Sequence, residues 1–169
     1  LVGYTNAGKS TLLNAITRSD VTTEDKLFST LDPVVRKVRL PSGRDMLLSD
    51  TVGFIQKLPP TIIASFRATL EEIEEAAVLI HVIDVGHTKH QIHQKEVDSV
   101  LKSLHLDEKP RILVFNKVDT VKKETGDLES DLILDSFATR PATVYTSATT
   151  GVGLADLLEE LDATIPIRS

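Results

Sequence analysis

Blocks of consecutive apolar residues alternate along this chain with stretches in which apolar side chains recur on one helical face. The first pattern marks strands buried on both sides and the second marks helices with one covered side, so together they predict an α/β domain with a largely parallel sheet. Val78 to Asp84, Arg111 to Asn116 and Ala142 to Ser147 are the expected buried strands, rich in Val, Ile and Leu. Val34 to Leu40 and Met46 to Asp50 flank Pro41-Ser42-Gly43-Arg44, which predicts a hairpin and one antiparallel edge strand. Helices are expected from Lys9 to about Arg18, from Thr61 to Glu75, from about Gln91 to Leu104, through Asp127 to Phe137 and over Leu154 to Leu161. Helices on both faces of such a sheet make three layers, αβα. No repeat, low-complexity tract or long linker divides residues 1–169, which read as one domain.

The first polar motif interrupts this pattern almost at once. Gly3-Tyr4-Thr5-Asn6-Ala7-Gly8-Lys9-Ser10 fits G-x-x-x-x-G-K-[ST], with Thr11 next. Glycines let the backbone turn so that its N–H groups converge on phosphate oxygens, helped by the N-terminus of the helix that follows. Lys9 can reach the β- and γ-phosphates, supplying charge stabilisation, and the Ser10 hydroxyl can ligate magnesium. Such a loop normally follows a buried strand of about five residues. Here only Leu1 and Val2 precede Gly3, so the expectation is a truncated first strand in a piece of a longer protein.

Two later motifs narrow the chemistry. Asp50-Thr51-Val52-Gly53 follows Met46-Leu47-Leu48, where a carboxylate at a strand end can hold magnesium through water and a glycine N–H can sense a γ-phosphate. Asn116-Lys117-Val118-Asp119 follows the apolar run Ile112 to Phe115. A carboxylate at Asp119 can accept hydrogen bonds from N1–H and the exocyclic amine of guanine, which adenine cannot donate. Asn116 would hold that loop while the Lys117 stem covers the ring plane. Thr146-Ser147-Ala148, with Thr149 beyond it, ends the last strand where a backbone N–H can meet the guanine carbonyl. In this order the motifs imply a P-loop NTPase of the Ras-like G-domain type that binds GTP and GDP with Mg2+.

Composition excludes more than it adds. There is no cysteine, so disulfides and thiolate metal sites are ruled out. No apolar run reaches the roughly 20 residues of a membrane span. A net charge of −6 argues against DNA and against a stand-alone RNA-binding role. Arg36, Lys37, Arg39 and Arg44 form the nearest approach to a basic patch, and a solvated strand face is the preferred reading of them. His87, His90 and His93 share a three-residue spacing, but six residues along a helix turn through about 240°, so they converge too poorly for zinc.

Read together, Gly3-Tyr-Thr-Asn-Ala-Gly-Lys-Ser-Thr-Leu, Leu27-Phe-Ser-Thr-Leu-Asp-Pro, Asp50-Thr-Val-Gly-Phe-Ile-Gln-Lys-Leu-Pro and Ser65-Phe-Arg-Ala-Thr-Leu-Glu-Glu resemble the HflX family of translation-associated GTPases over nearly the whole chain. Ser29 departs from the family's usual Ala, and Val34 or Val35 stands where Thr is frequent. The resemblance assigns Phe28, Ser29, Thr30, Leu31 and Asp32 to a first switch, with Thr30 joining Ser10 and Asp50 around magnesium in the GTP state. It also implies an N-terminal ribosome-engaging domain absent from these residues. The large ribosomal subunit is then the expected partner of the full-length protein, and a monomer is expected for this segment. The compartment would be bacterial cytoplasm, or a chloroplast or mitochondrion if a transit peptide lies upstream.

Catalysis is expected to be slow. Ras-type enzymes orient the attacking water with a glutamine directly after D-x-x-G, where this chain has Phe54, and Gln56 lies two residues further on. The leading expectation is thus a GTPase stimulated by a partner; the alternative is a nucleotide-dependent binding module with negligible hydrolysis. Asn6, in the phosphate loop, is the position at which several GTPases hold potassium, so K+ stimulation is a second expectation.

Overall fold

The computed structural model describes residues 1–4, 6–17, 34–51, 71, 73–121 and 141–166. Its elements are β1 (Val2–Gly3), α1 (Lys9–Thr17), β2 (Val34–Arg39), β3 (Asp45–Asp50), β4 (Leu79–Asp84), α2 (His90–Ser103), β5 (Arg111–Asn116), β6 (Ala142–Tyr145) and α3 (Leu154–Thr164). Four of these strands form a parallel sheet in the order β1-β4-β5-β6. Strands β2 and β3 pair antiparallel from Val34↔Asp50 to Arg39↔Asp45. Their loop closes through Leu40 N–H to the Arg44 carbonyl (2.7 Å) and Gly43 N–H to the Leu40 carbonyl (2.8 Å), with Gly43 in the left-handed region at φ 84°. That is the three-residue hairpin its Pro-Ser-Gly sequence favours.

Leu1 joins the two sheets. Its N donates to the Ser49 carbonyl at 2.5 Å, and its carbonyl accepts from Thr51 N at 3.3 Å and Thr51 Oγ1 at 2.5 Å. Bonds from one residue to positions either side of Asp50 follow the parallel-ladder pattern, so β3 lies beside the start of β1 and β2 is the antiparallel edge.

Strand alternation sends successive side chains to opposite faces, and helices cover both. On one face Leu12, Leu13 and Ile16 of α1 and Leu157 and Leu161 of α3 close over Ile80, Val82, Ile112 and Val114. On the other, Val97 and Leu101 of α2 pack with Val2, Ile73 and Leu79. Each buried aliphatic of this kind contributes about 1.5–3 kcal/mol, so the three-layer arrangement follows from the apolar pattern.

Boundaries match the expected ones within a few residues. Helix α3 runs three residues past Leu161, to Thr164, and stops at Ile165, whose extended backbone (ψ 121°) suits a residue preceding proline. Of the helix expected over Thr61 to Glu75, residues 71 and 73–75 are described and helical. The rest of it, and the helix expected through Asp127 to Phe137, lie outside the described residues.

Candidate functional site

The parallel strands all end at one edge, and the loops leaving that edge carry the polar motifs, the usual place for a ligand in an open α/β sheet. After β1 the chain turns at Ala7, whose N–H donates to the Tyr4 carbonyl at 3.2 Å, and enters α1 with Leu12 N–H on the Gly8 carbonyl at 2.8 Å. The turn needs left-handed backbone at Asn6 (φ 64°) and Gly8 (φ 95°). A Cβ on Gly8 would also come within 2.5 Å of Asn116 Nδ2, so glycine is required there for space as well as for conformation. Lys9 is buried, with Nζ 3.5 Å from the Tyr4 carbonyl; burial pulls its pKa down and the nearby Asp50 carboxylate opposes that pull. An ammonium held back across its own loop, at a helix N-terminus, is placed to meet phosphate charge.

Ser10 and Asp50 meet across the start of the sheet, Oγ donating to Oδ2 at 2.7 Å. Asp50 Oδ1 is buried and has no hydrogen-bond partner among the described residues. A hydroxyl and a carboxylate with a spare buried oxygen make a hard-oxygen donor set that fits a divalent cation. Thr11 is exposed in the first turn of α1, and Thr51 is buried against Leu1. Thr5, Phe28, Ser29, Thr30, Leu31, Asp32, Val52, Gly53, Phe54 and Gln56 lie outside the described residues.

The structure brings the second motif against the first. Asn116 is 1% exposed; its Nδ2 donates to the Ala7 carbonyl (3.1 Å), while its Oδ1 accepts from Thr146 Oγ1 and from Ala148 N–H, both at 3.2 Å. One amide thus ties the phosphate loop to the loop after β6. Lys117 follows in the left-handed region (φ 66°), its Nζ donating to the Asn6 carbonyl at 2.9 Å and pairing with Asp84 Oδ2 at 2.6 Å. Asp119, exposed on the short 3-10 turn Val118–Thr120, accepts a 2.6 Å hydrogen bond from Ser147 Oγ. Ser147 Oγ lies 3.3 Å from Thr149 Oγ1 and accepts from Thr150 N–H at 3.2 Å, which fixes the hydroxyl that donates to Asp119.

Asp84 escaped the sequence reading. The signal was there: it is an acidic residue closing an apolar strand, in register with Asn116 on β5. The Tyr4–His93 stack (ring centroids 3.8 Å apart) was equally unforeseen, and it occupies one of the three spaced histidines. No group of three or more His, Cys, Asp or Glu able to hold a metal occurs among the described residues. Under the phosphate loop a cavity of about 530 Å3 is lined by Tyr4, Asn6, His81, Asp84 and His93 among others. Ser10 and Asp50 are not among its lining residues.

Three of the four cations near the hairpin have partners, while Arg39 is exposed. Arg44 holds Asp162 of α3 through Nε (3.1 Å) and Nη2 (2.5 Å), Arg36 reaches Thr17 Oγ1 (3.4 Å) and Lys37 pairs with Asp45 (2.7 Å).

Comparison with known proteins adds the context. Residues 1–117 match the family described as 50S ribosome-binding GTPase. The GTPase HflX of Magnetococcus marinus is 48% identical over 161 residues, covering 95% of this chain and 36% of that protein. HflX of Escherichia coli is 42% identical over 161 residues, 95% of this chain and 37% of that one. The chain therefore spans about a third of the length of these relatives. Among solved structures, a GTP-binding protein from Sulfolobus solfataricus in complex with GDP superposes with a TM-score of 0.74 at 27% identity, covering 97% of this chain and 50% of that one. An Aquifex aeolicus Era variant bound to GDP·AlF4− gives 0.74 at 24% identity over 99% of this chain and 56% of its own, a likeness of fold. No helix among the described residues is long and apolar enough to cross a membrane.

Proposed function

Because the chain belongs to the 50S ribosome-binding GTPase family, we propose that it binds GTP and hydrolyses it to GDP and phosphate as a ribosome-associated switch of the HflX kind. The observation that carries this reading is the Asn116 side chain, which joins the Ala7 carbonyl of the phosphate loop to Thr146 and Ala148 beside the base loop. Phosphate and guanine subsites thereby form one rigid cleft.

In that cleft the P-loop N–H groups and Lys9 take the phosphates, while Asp119, steadied by Ser147, accepts from the guanine edge. Ser10 and Asp50, the latter through water, would hold Mg2+, with Thr30 as a further ligand in the GTP state. The cation, when bound, offsets negative charge on the β- and γ-phosphate oxygens. Thr30, with its neighbours Phe28 to Asp32, and the stretch from Asp50 past Gly53 are the segments that GTP would order and hydrolysis would release. Phe54, where a water-orienting glutamine is usual, makes intrinsic turnover slow; the large ribosomal subunit supplies the acceleration. Asn6 would help to hold K+, whose positive charge would offset charge on the phosphates. Residues 1–169 act as a monomeric GTPase domain, in cytoplasm or an organelle, without contact to DNA.

Phosphate release by the full-length protein, measured with and without large ribosomal subunits, in KCl and in NaCl at equal ionic strength, tests this. Slow release alone and faster release with subunits is the expected result. An unchanged rate with subunits overturns the ribosome role, absence of release in both overturns hydrolysis, and equal rates in the two salts overturn the potassium role.

A further inference from the structure

We propose that Asp84, which closes β4, is the positioning residue for Lys117 and so sets how long a guanine nucleotide stays bound. The proposal rests on the nucleotide reading of the site and assigns its retention to a residue outside the phosphate-loop, D-x-x-G and N-K-x-D motifs.

Both oxygens of the Asp84 carboxylate are engaged. Oδ1 accepts from Gly86 N–H at 3.0 Å, which fixes the rotamer, and Oδ2 accepts from Lys117 Nζ at 2.6 Å. The same ammonium donates to the Asn6 carbonyl at 2.9 Å. Lys117 is therefore the second strap, beside Asn116, between the base loop and the phosphate loop. Its backbone sits at φ 66°, a conformation that L side chains other than Asn and Asp seldom adopt, so contacts of the side chain must help to hold it. With the Asn6 carbonyl as its one acceptor, a partly buried ammonium would gain by turning out to water. A carboxylate beside it reverses that balance through a short charge-assisted bond.

The turn that follows Asp84 braces the same loop. A Cβ on Gly86 would lie 2.1 Å from Thr120 Oγ1, so this turn packs directly on the short helix that carries Asp119. Thr120 Oγ1 in turn donates to the Lys117 carbonyl at 2.7 Å. Loss of the Asp84 charge would release Lys117 from Asn6 and let the two loops separate, opening an exit for the nucleotide.

Stopped-flow release of a fluorescent GDP analogue, chased by excess GDP, reads this out in Asp84→Asn, Lys117→Ala and the double variant. Asn keeps the shape and the acceptor for Gly86 while removing the charge. We expect Asp84→Asn to speed release about fivefold or more, with the nucleotide-free thermal midpoint little changed, and to add almost nothing once Lys117 is Ala. Asp84→Glu, which retains the charge, is expected to restore part of the slow release and keeps the test open if the Asn variant folds poorly. Release within twofold of wild type in Asp84→Asn, or effects of Asp84 and Lys117 that multiply independently, would overturn the proposal. Failure of the wild type to hold the analogue would overturn the nucleotide reading itself, and this proposal with it.

Discussion

His81 sits in the middle of β4, 1% exposed, with its Nδ1 3.9 Å from Asp98 Oδ1 and without a hydrogen-bond partner among the described residues. Burial, with the charges of Arg111 and Lys9 adding, pushes its pKa down to about 3. The folded protein therefore keeps the ring neutral where the unfolded chain, at an ordinary value of 6.5, takes a proton. Stability from this site is complete above pH 6.5 and is lost as pH falls from there towards 3, by up to about 1.4 kcal/mol per pH unit. Urea midpoints measured between pH 7 and 5 should fall less steeply in His81→Leu than in wild type; parallel slopes would rule this out. Such a residue is silent in the sequence, because a histidine inside an apolar run looks the same whether or not it has a partner. Gly8, Lys9, Asn116 and Asp119 could be singled out because motif spacing along the chain marks them. The contact of Asp84 with Lys117 joins residues 33 positions apart, which spacing does not encode.

Elements were legible where a short-range pattern governs them. Apolar runs and the Pro-Ser-Gly turn marked the strands and hairpin, and helical periodicity marked α1, α2 and α3. What the pattern missed was how elements attach to each other. Arg44, which in sequence belonged to a loose basic cluster, joins the hairpin tip to α3 instead. It reaches the Asp162 carboxylate and the carbonyls of Asp162 and Ile165, and Ser42 reaches the same carboxylate through N–H (2.6 Å) and Oγ (2.8 Å). The Arg44 hydrogen bonds hold the Asp162 carboxyl below its ordinary value of 3.8. That contribution is present above pH 3.8 and fades as pH falls through the lowered pKa. Arg44→Ala is expected to lower the thermal midpoint at pH 7, with the difference from wild type shrinking in strong acid. Equal midpoints at pH 7 would show that the latch contributes nothing.

At the scale of the molecule, three layers bring loops from four strand ends to one edge, and a ligand spanning them stabilises the folded state. GDP with Mg2+ at a hundredfold its dissociation constant should add about 2.7 kcal/mol, seen as a raised thermal midpoint. ATP at the same concentration should add none, and equal shifts for both would remove the case for guanine selectivity. The placement of Asn116 carries a further consequence. Its amide ties together the two loops that, on the proposed reading, would each take one end of the same ligand. Whichever end arrives first meets the other pocket already at its working distance, so the second contact forms at a high effective concentration. Guanosine alone or pyrophosphate alone should then bind far more weakly than half of the whole would suggest. Loosening that amide, with Lys117 left as the remaining strap, would weaken this chelating effect.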